Sequence, residues 1–336
     1  MSDRRKNLII VFMAVMLAAG IVVSVFLGKF TITPKELWGI VISQFADIEQ
    51  YWTSQQEHIL WTVRMPRILA ACIVGTALSS AGSVYQGVFE NPMAAPDFLG
   101  ASSGAALGAA LAIILGMNDV MITVMAFFMS LLTIVLVYMI GNRTKGNKTV
   151  GLVLAGLMVS ALAQAGTSFI KLVADQTNEL PEITYWLMGS LTGITGEDVL
   201  FAFIVTMIGL IPLLLIRWNI NVLTIGEQEA STMGVRVDLV RAVSLVCATL
   251  ITAAAVSISG MIGWVGLVVP HFCRKIVGNN YKFLLPATIL TGAFFLLMVD
   301  NVSRNLFEVE IPIGILTAVI GAPFFIYLIT KGGERA

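Results

Sequence analysis

Apolar positions in this chain do not alternate with polar ones at a strand or surface-helix period; they run together in long blocks. A helix crossing a hydrocarbon layer about 30 Å thick needs roughly 20 mostly apolar residues, because each residue adds about 1.5 Å. Uncharged blocks of that size occupy residues 8–28, 68–89, 98–116, 120–141, 149–170, 199–216 and 311–330, and residues 283–303 qualify apart from Asp300. Ala242 to Cys273 is also free of charge, and as one helix it would overshoot the membrane, so it must bend or break. Ser257, Ser259, Gly260 and Gly263 supply the weak point, since glycine and small polar residues can start a turn if the freed backbone groups are buried in protein. The pattern predicts one span over about 241–260 and a shorter one continuing past Pro270 towards Gly278. It describes an all-α, polytopic membrane protein with about ten transmembrane helices in a single domain covering residues 1–336.

Composition agrees and removes other classes. Of 336 residues, 57% are apolar and 12% charged, about half the charge of a soluble domain. Zero net charge and the lack of a basic tract exclude the electrostatic footprint of a nucleic-acid binder. Cys72, Cys247 and Cys273 stand far apart, which argues against a disulfide framework or zinc finger. The first apolar block follows Arg4, Arg5 and Lys6 but is too long for a signal-peptide core, so it is expected to remain in the mature protein.

Basic residues set the orientation. With the N-terminus inside, the internal segments hold 14 of the 20 lysines and arginines; Lys29, Lys35, Arg64, Arg67, Lys171 and Arg304 are left for the outside or for span ends. Both termini are therefore expected in the cytoplasm, with the chain in the cell (inner) membrane. The outer segment 29–67 carries Trp38, Trp52 and Trp61, whose rings suit the headgroup belt. The inner segment 217–241 differs. Glu227 opens E-Q-E-A-S-T-M, flanked by Gly226 and Gly234, while Val222, Leu223, Ile225, Met233 and Val235 are apolar positions on a segment too small for its own core. It reads as a docking surface for a soluble partner or as an interfacial helix on lipid. Gly82, Pro92 and Gly100 recur as Gly260, Pro270 and Gly278, each displaced by 178 residues, which suggests that spans 2–5 and 7–10 are related halves.

Catalytic and metal signatures fail on context. G-A-S-S-G from Gly100 to Gly104 lacks the preceding strand of a nucleophile elbow; Gly100, Ser102, Gly104 and Gly108 instead form a small-residue face for close helix packing. G-N-R-T-K-G-N-K-T from Gly141 to Thr149 lacks phosphate-loop spacing. His271 and Cys273 lack acidic company for a metal site and read as packing groups. So few acids in the spans leave no path for a bare cation, so a transported metal would travel inside a chelate. Asp300 is the exception, and Arg304 one turn later reads as its structural i, i+4 partner.

Several segments together resemble the FecCD-type permease subunits of type II ATP-driven importers for iron-siderophore, haem and cobalamin. They are R-M-P-R from Arg64 to Arg67; Gly82 and Gln86; N-P-M-A-A-P-D-F-L-G-A-S-S-G-A from Asn91 to Ala105; L-T-I-G-E-Q-E-A-S-T-M-G-V from Leu223 to Val235; G-M-I-G-W-V-G-L-V-V-P-H-F-C-R from Gly260 to Arg274; and I-P-I-G-I-L-T-A-V-I-G-A-P from Ile311 to Pro323. Met93 and Asn279-Asn280-Tyr281-Lys282 depart from the family pattern. The resemblance implies ten helices, a second permease subunit (identical or closely related), two cytoplasmic ATPase subunits and an extracytoplasmic substrate-binding protein. It implies ATPase coupling through Leu223, Gly226, Glu227, Ala230, Met233, Gly234 and Val235, and binding-protein docking by Arg64, Arg67 and Arg304. Thr149, Gln86, Asn91 and Pro92 fall at the gate and pathway, with Gly82, Gly100, Gly104, Gly260, Pro270 and Asp300 as structural positions. No cofactor is expected on this chain, ATP and magnesium belonging to the ATPase. The substrate expected is a ferric siderophore, with cobalamin or haem as the alternative; an ion-coupled secondary transporter is the rival of another class.

Overall fold

The computed structural model describes residues 2–141, 143–144 and 148–332. Most of the basic loop at 142–147 and the Thr149 side chain, named above for the gate, lie outside the described residues.

All regular structure among the described residues is helical. Helix α1 (Asp3–Phe26) crosses first; α2 (Pro34–Ile42) and α3 (Ser54–His58) follow at its far end. Each of these two short helices starts on a capping box, with Thr33–Glu36 and Thr53–Gln56 exchanging side-chain and backbone hydrogen bonds. A π-helical turn (Ile59–Arg64) joins α3 to α4 (Met65–Val88). The chain then re-enters through a 3₁₀ turn (Pro96–Leu99) into α5 (Ala101–Ile114), returns by α6 (Asp119–Gly141) and crosses again by α7 (Lys148–Val173). Helix α8 (Glu179–Met188) lies at the far face, where the hydrophobic pattern predicted none. Helix α9 (Gly196–Leu215) leads back to the short pair α10 (Arg217–Leu223) and α11 (Glu227–Thr232). The last four are α12 (Val237–Ser259), α13 (Val265–Val277), α14 (Tyr281–Asn305) and α15 (Ile313–Gly332).

Seven described helices are long and apolar enough to cross a membrane: α1, the continuous helix 54–88, α6, α7, α9, α12 and α14. Helices α5 and α15 are shorter but apolar. The uncharged stretch after Arg241 breaks where expected, between Ser259 and Val265. Each end of the bundle is tied across elements. Lys282 pairs with Asp3 at 3.2 Å on the N-terminal face, and the Ser190 N–H donates to the Ser259 carbonyl at 2.8 Å on the far face.

Helix α4 is the hub, with neighbours α9, α12, α13 and α14. Large apolar side chains would face lipid; instead Gly75, Ser79, Gly82 and Ser83 bring other backbones into contact. A Cβ on Gly75 would lie 2.2 Å from the Gly292 carbonyl oxygen of α14, and one on Gly82 1.9 Å from that of Gly266 in α13. The small-residue face of α5 works likewise: added Cβ atoms on Gly104 and Gly108 would strike Thr133 and the Met125 carbonyl of α6. Ser79 donates to the Thr288 carbonyl at 2.8 Å, and Tyr85 and Thr249 share a hydrogen bond at 2.6 Å.

Two expectations need correction. Trp52 is buried, with its indole N–H on Glu57 at 3.1 Å, so it anchors the outer segment internally and does not sit in a headgroup belt; Trp38 is exposed. The Gly-Pro-Gly recurrence does not join equivalent places: Gly82 lies within α4 whereas Gly260 ends α12, and Pro92 sits in a turn whereas Pro270 is inside α13. The short helices α5 and α13 both follow a residue at positive φ, Gly100 at 78° and Trp264 at 70°.

Gly82→Ala should cost about 1–3 kcal/mol through overpacking against Gly266 and lower the thermal midpoint in detergent. Gly263→Ala, where nothing stands within 4 Å of an added Cβ, should leave it unchanged.

Candidate functional site

Chemistry collects at the two ends of the bundle. On the N-terminal face, Pro270 has no N–H, so the Gly266 carbonyl one turn earlier lacks its helical partner. The Gln86 side chain supplies it, donating from Nε2 at 3.2 Å, while its Oε1 accepts from Arg274 Nη1. Gln86 and Gly82 share one face of α4, so one contact supplies a close approach and the next replaces the hydrogen bond that the proline removes. Beside them opens a cavity of about 670 Å³ lined by Gln86, Pro92, Thr224, His271, Arg274 and Lys275, among others. Asn91, exposed, folds its carboxamide oxygen onto the Met93 N–H at 2.9 Å and so shapes the turn that carries Pro92. Of the expected gate residues, then, Gln86 is buried in the α4–α13 contact, Pro92 lines the cavity and Asn91 shapes the turn that carries it.

The segment 217–241 forms α10 and α11 on the same face. Gly226 (φ 137°) and Gly234 (φ 81°) bracket α11 in conformations that other residues rarely adopt. Glu227 is ion-paired with Arg241 at the start of α12. Leu223, Ala230 and Val235, expected on a docking surface, are turned inward at 0%, 0% and 6% exposure and fasten the segment to the bundle. Ile225 and Met233 remain out at 60% and 53%. The departing segment 279–282 helps to hold this arrangement: the Tyr281 N–H donates to Asn221 Oδ1 of α10 at 3.2 Å, and the Tyr281 hydroxyl to the Ser83 carbonyl of α4.

On the far face, three arginines gather as expected, but they do not point outward. Arg64, Arg67 and Arg304 are 4%, 7% and 7% exposed. Arg64 donates to the Val25 and Phe30 carbonyls. Arg67 Nε meets Asp300 Oδ1 at 2.9 Å, and Arg67 Nη1 grips both Glu310 oxygens at 3.0 and 2.8 Å. Arg304 donates to the Ser24 carbonyl at 2.8 Å and to Asn301. The expected Asp300–Arg304 pair is the longer one, Nε to Oδ2 at 3.8 Å, so the principal partner of Asp300 is Arg67 on α4. The network exists because α4 and α14 cross at Gly75 and Gly292, which brings two distant charges to one depth.

Glu310, Thr192, Ser24 and Asn301 were not singled out from sequence. Glu310 accepts from the Thr192 hydroxyl at 2.8 Å as well as from Arg67, and thereby ties the loop after α8 to α4 and α14. An acid just beyond a span that ends in arginine was its only signal. Partial burial pushes the Glu310 carboxyl up, but Thr192, Arg67 and Lys29 outweigh it and hold the group below its ordinary value.

No hydrolytic centre forms among the described residues. Ser102 donates to Asp97, His58 is engaged with Thr62, and His271 lines the opposite cavity. Gly100 adopts the left-handed conformation that starts α5. Pro270 and Cys273 are buried in α13. No group of three or more His, Cys, Asp or Glu among the described residues could hold a metal ion.

Comparison with known proteins decides the family: residues 16–331 match the model of the FecCD transport family. The chain belongs to that family. It is 36% identical over 93% of its length, and 93% of the relative's, to the molybdate import system permease MolB of Haemophilus influenzae. It is 41% identical over 81% of its length, and 82% of the relative's, to a probable iron chelatin transport system permease of Helicobacter pylori. A solved structure described as a metal-chelate type ABC transporter in an inward-facing conformation superposes with TM-score 0.86 at 35% identity, covering 97% of this chain and 99% of the other. This FecCD member is the permease component of a type II ABC importer, a transport subunit and not an enzyme.

Two outcomes follow from the far-face network. Asp300→Asn, which leaves two buried guanidinium groups short of their counter-charge, should destabilise the purified protein by about 3–5 kcal/mol in detergent unfolding. Because folding lowers the affinity of Glu310 for a proton, its contribution is fully present above its unfolded value of about 4.3 and is lost as pH falls through its lower folded value. Glu310→Gln should therefore flatten the acid limb of the stability profile.

Proposed function

We propose that this chain is the membrane-spanning subunit of an importer for an iron chelate, a ferric siderophore in the first instance, with cobalamin or haem as the alternative within the family. The observation that carries this is the family match over nearly the whole chain, together with the relative named for iron chelatin and the structural neighbour of metal-chelate type. The apolar interior supports the same class: a bare cation would need a row of oxygen ligands, and a chelate brings its own. The ion-coupled rival needs a free intramembrane acid, and Asp300 is held between Arg67 and Arg304.

In this reading α5, α13 and α15 join the seven longer helices to make ten crossings, the N-terminal face lies in the cytoplasm, and the protein sits in the cell membrane. Two copies, or one copy and a close paralogue, enclose the path. Two ATPase subunits dock below and bring the ATP and magnesium, this chain binding no cofactor of its own. Their movement enters through α10–α11. Ile225 and Met233 meet the ATPase; Leu223, Ala230 and Val235 pass the push into α4, α12 and α14 through their buried contacts; Gly226 and Gly234 are the hinges. An extracytoplasmic binding protein docks above. Arg64, Arg67 and Arg304 act behind that surface, holding its loops in shape through their internal bonds, and Thr149, Asn91 and Pro92 stand near the inner gate.

Met233→Glu places a charge on an exposed position and should leave folding intact. Reconstituted with its ATPase and binding protein, the variant should lose ATP-dependent uptake by about tenfold or more, the weight of one desolvated charge. Ala230→Glu should fail earlier, at assembly or stability, because the site is closed. Normal ATP-driven uptake by Met233→Glu would contradict the coupling role.

A further inference from the structure

One carboxylate stands apart from both ends of the bundle. Asp97 lies in the 3₁₀ turn Pro96–Leu99, is exposed, and makes no ion pair among the described residues. Contacts with three long helices fix its depth. A Cβ on Gly266 would lie 2.7 Å from Pro96 Cδ and 2.9 Å from the Leu78 carbonyl oxygen of α4. One on Gly100 would lie 2.8 Å from Ser160 Oγ of α7 and 2.9 Å from Thr133 Cγ2 of α6. Leu78, Ser160 and Thr133 all stand near the middle of their uncharged blocks, 68–89, 149–170 and 120–141. Pro96 and Gly100 bracket Asp97, so the carboxylate sits about halfway across the hydrocarbon layer.

A charge at that depth is costly against lipid and belongs against protein or water. A second copy of the chain offers it no counter-ion, because none of the apolar blocks contains a lysine or arginine. The neighbours are polar and uncharged. The Ser102 hydroxyl donates to the Asp97 carboxylate, and Ser103, the next residue of α5, accepts from Gln164 Nε2 of α7 at 3.4 Å. Asp97 and Gln164 are exposed and the two serines half-buried, so a polar strip crosses from the turn over the start of α5 onto α7. Leu157 and Leu162, also exposed on α7, are apolar, which confines the polarity to the strip.

We infer that this strip faces an aqueous cargo path and that Asp97 touches the cargo halfway across, accepting hydrogen bonds from its amide, hydroxyl or ammonium groups. This rests on the reading of the chain as an importer subunit. One carboxylate is not the row of oxygen ligands that a bare cation needs, so the strip suits a cargo that brings its own ligands and presents donors on its outside.

The test uses the assembled permease–ATPase complex in proteoliposomes during ATP turnover. Single cysteines are placed in a chain whose Cys72, Cys247 and Cys273 are alanine and treated with a charged, water-borne methanethiosulfonate. Asp97→Cys and Gln164→Cys should be modified, and Val15→Cys, on the exposed apolar face of α1, should not. This arm decides whichever chelate is carried. In parallel, uptake of ferrichrome, whose ring carries amide N–H groups, is measured with a binding protein that accepts it. Asp97→Leu should lower ATP-dependent uptake by about tenfold, the weight of a hydrogen bond to a charged group, with thermal midpoint and complex assembly unchanged. Asp97→Asn, which keeps an acceptor oxygen and nearly the same shape, should lose less. Asp97→Cys unmodified, or modified no faster than Val15→Cys, would overturn the inference, as would full uptake by Asp97→Leu; both leave the importer reading intact. Uptake by the unmutated protein driven by a proton gradient without ATP would sink the importer reading, and the inference with it.

Discussion

Backbone-to-backbone contact along α4 is the constraint on which the rest of the structure depends. A helix enclosed by protein inside a membrane gains nothing from large apolar side chains, because lipid tails are as apolar as leucine; it gains from close approach and from hydrogen bonds across the contact. Gly75 against Gly292 and Gly82 against Gly266 provide the approach, and Ser79, Tyr85 and Gln86 provide the bonds. These contacts set the depth and rotation of α13 and α14 relative to α4. Once that is set, Arg67 meets Asp300 at one end and Gln86 meets Arg274 at the other. Both polar clusters are thus consequences of the same small-residue packing.

The two ends differ in how their charge is handled. On the far face Arg67 and Arg304 are paired with Asp300, and Arg67 also with Glu310, while Arg64 is held by the Val25 and Phe30 carbonyls. The N-terminal cavity keeps Arg274, Lys275 and His271 in its lining, beside a short helix bracketed by two left-handed glycines. A buried ion pair gains little net stability but is costly to break. Here the chain of contacts from Thr192 through Glu310 and Arg67 to Asp300 joins the loop after α8 to the central helix, so movement of that loop cannot leave α4 undisturbed.

Much of this was legible in the sequence because the membrane demands continuous apolar blocks. The seven long apolar helices, the break after Ser259 and the packing face of Gly104 and Gly108 all follow from that demand. Helix α8 was not legible, since Glu179–Met188 mixes two acids with aromatics and is too short for a span. Burial inside α10–α11 was not legible either. Leu223 and Met233 look alike as apolar residues in a polar segment, and only the turns at Gly226 and Gly234 decide that one points inward and the other out. The arginines illustrate a third limit: basic bias places Arg64, Arg67 and Arg304 at the correct end, but their partners lie 233 and 243 residues away for Arg67, and no local pattern reveals that they are occupied.

The central claim is that α11 and α8 lie on opposite sides of the membrane, α11 on the side from which the proposed ATPase subunits drive the chain. The most direct measurement is labelling of single cysteines at Met233 and Glu182 by a membrane-impermeant maleimide in intact and in opened cells, with Cys72, Cys247 and Cys273 replaced by alanine. The account predicts that Glu182→Cys reacts in intact cells and Met233→Cys only after the membrane is opened. Reaction of both in intact cells, or the reverse order, would contradict it.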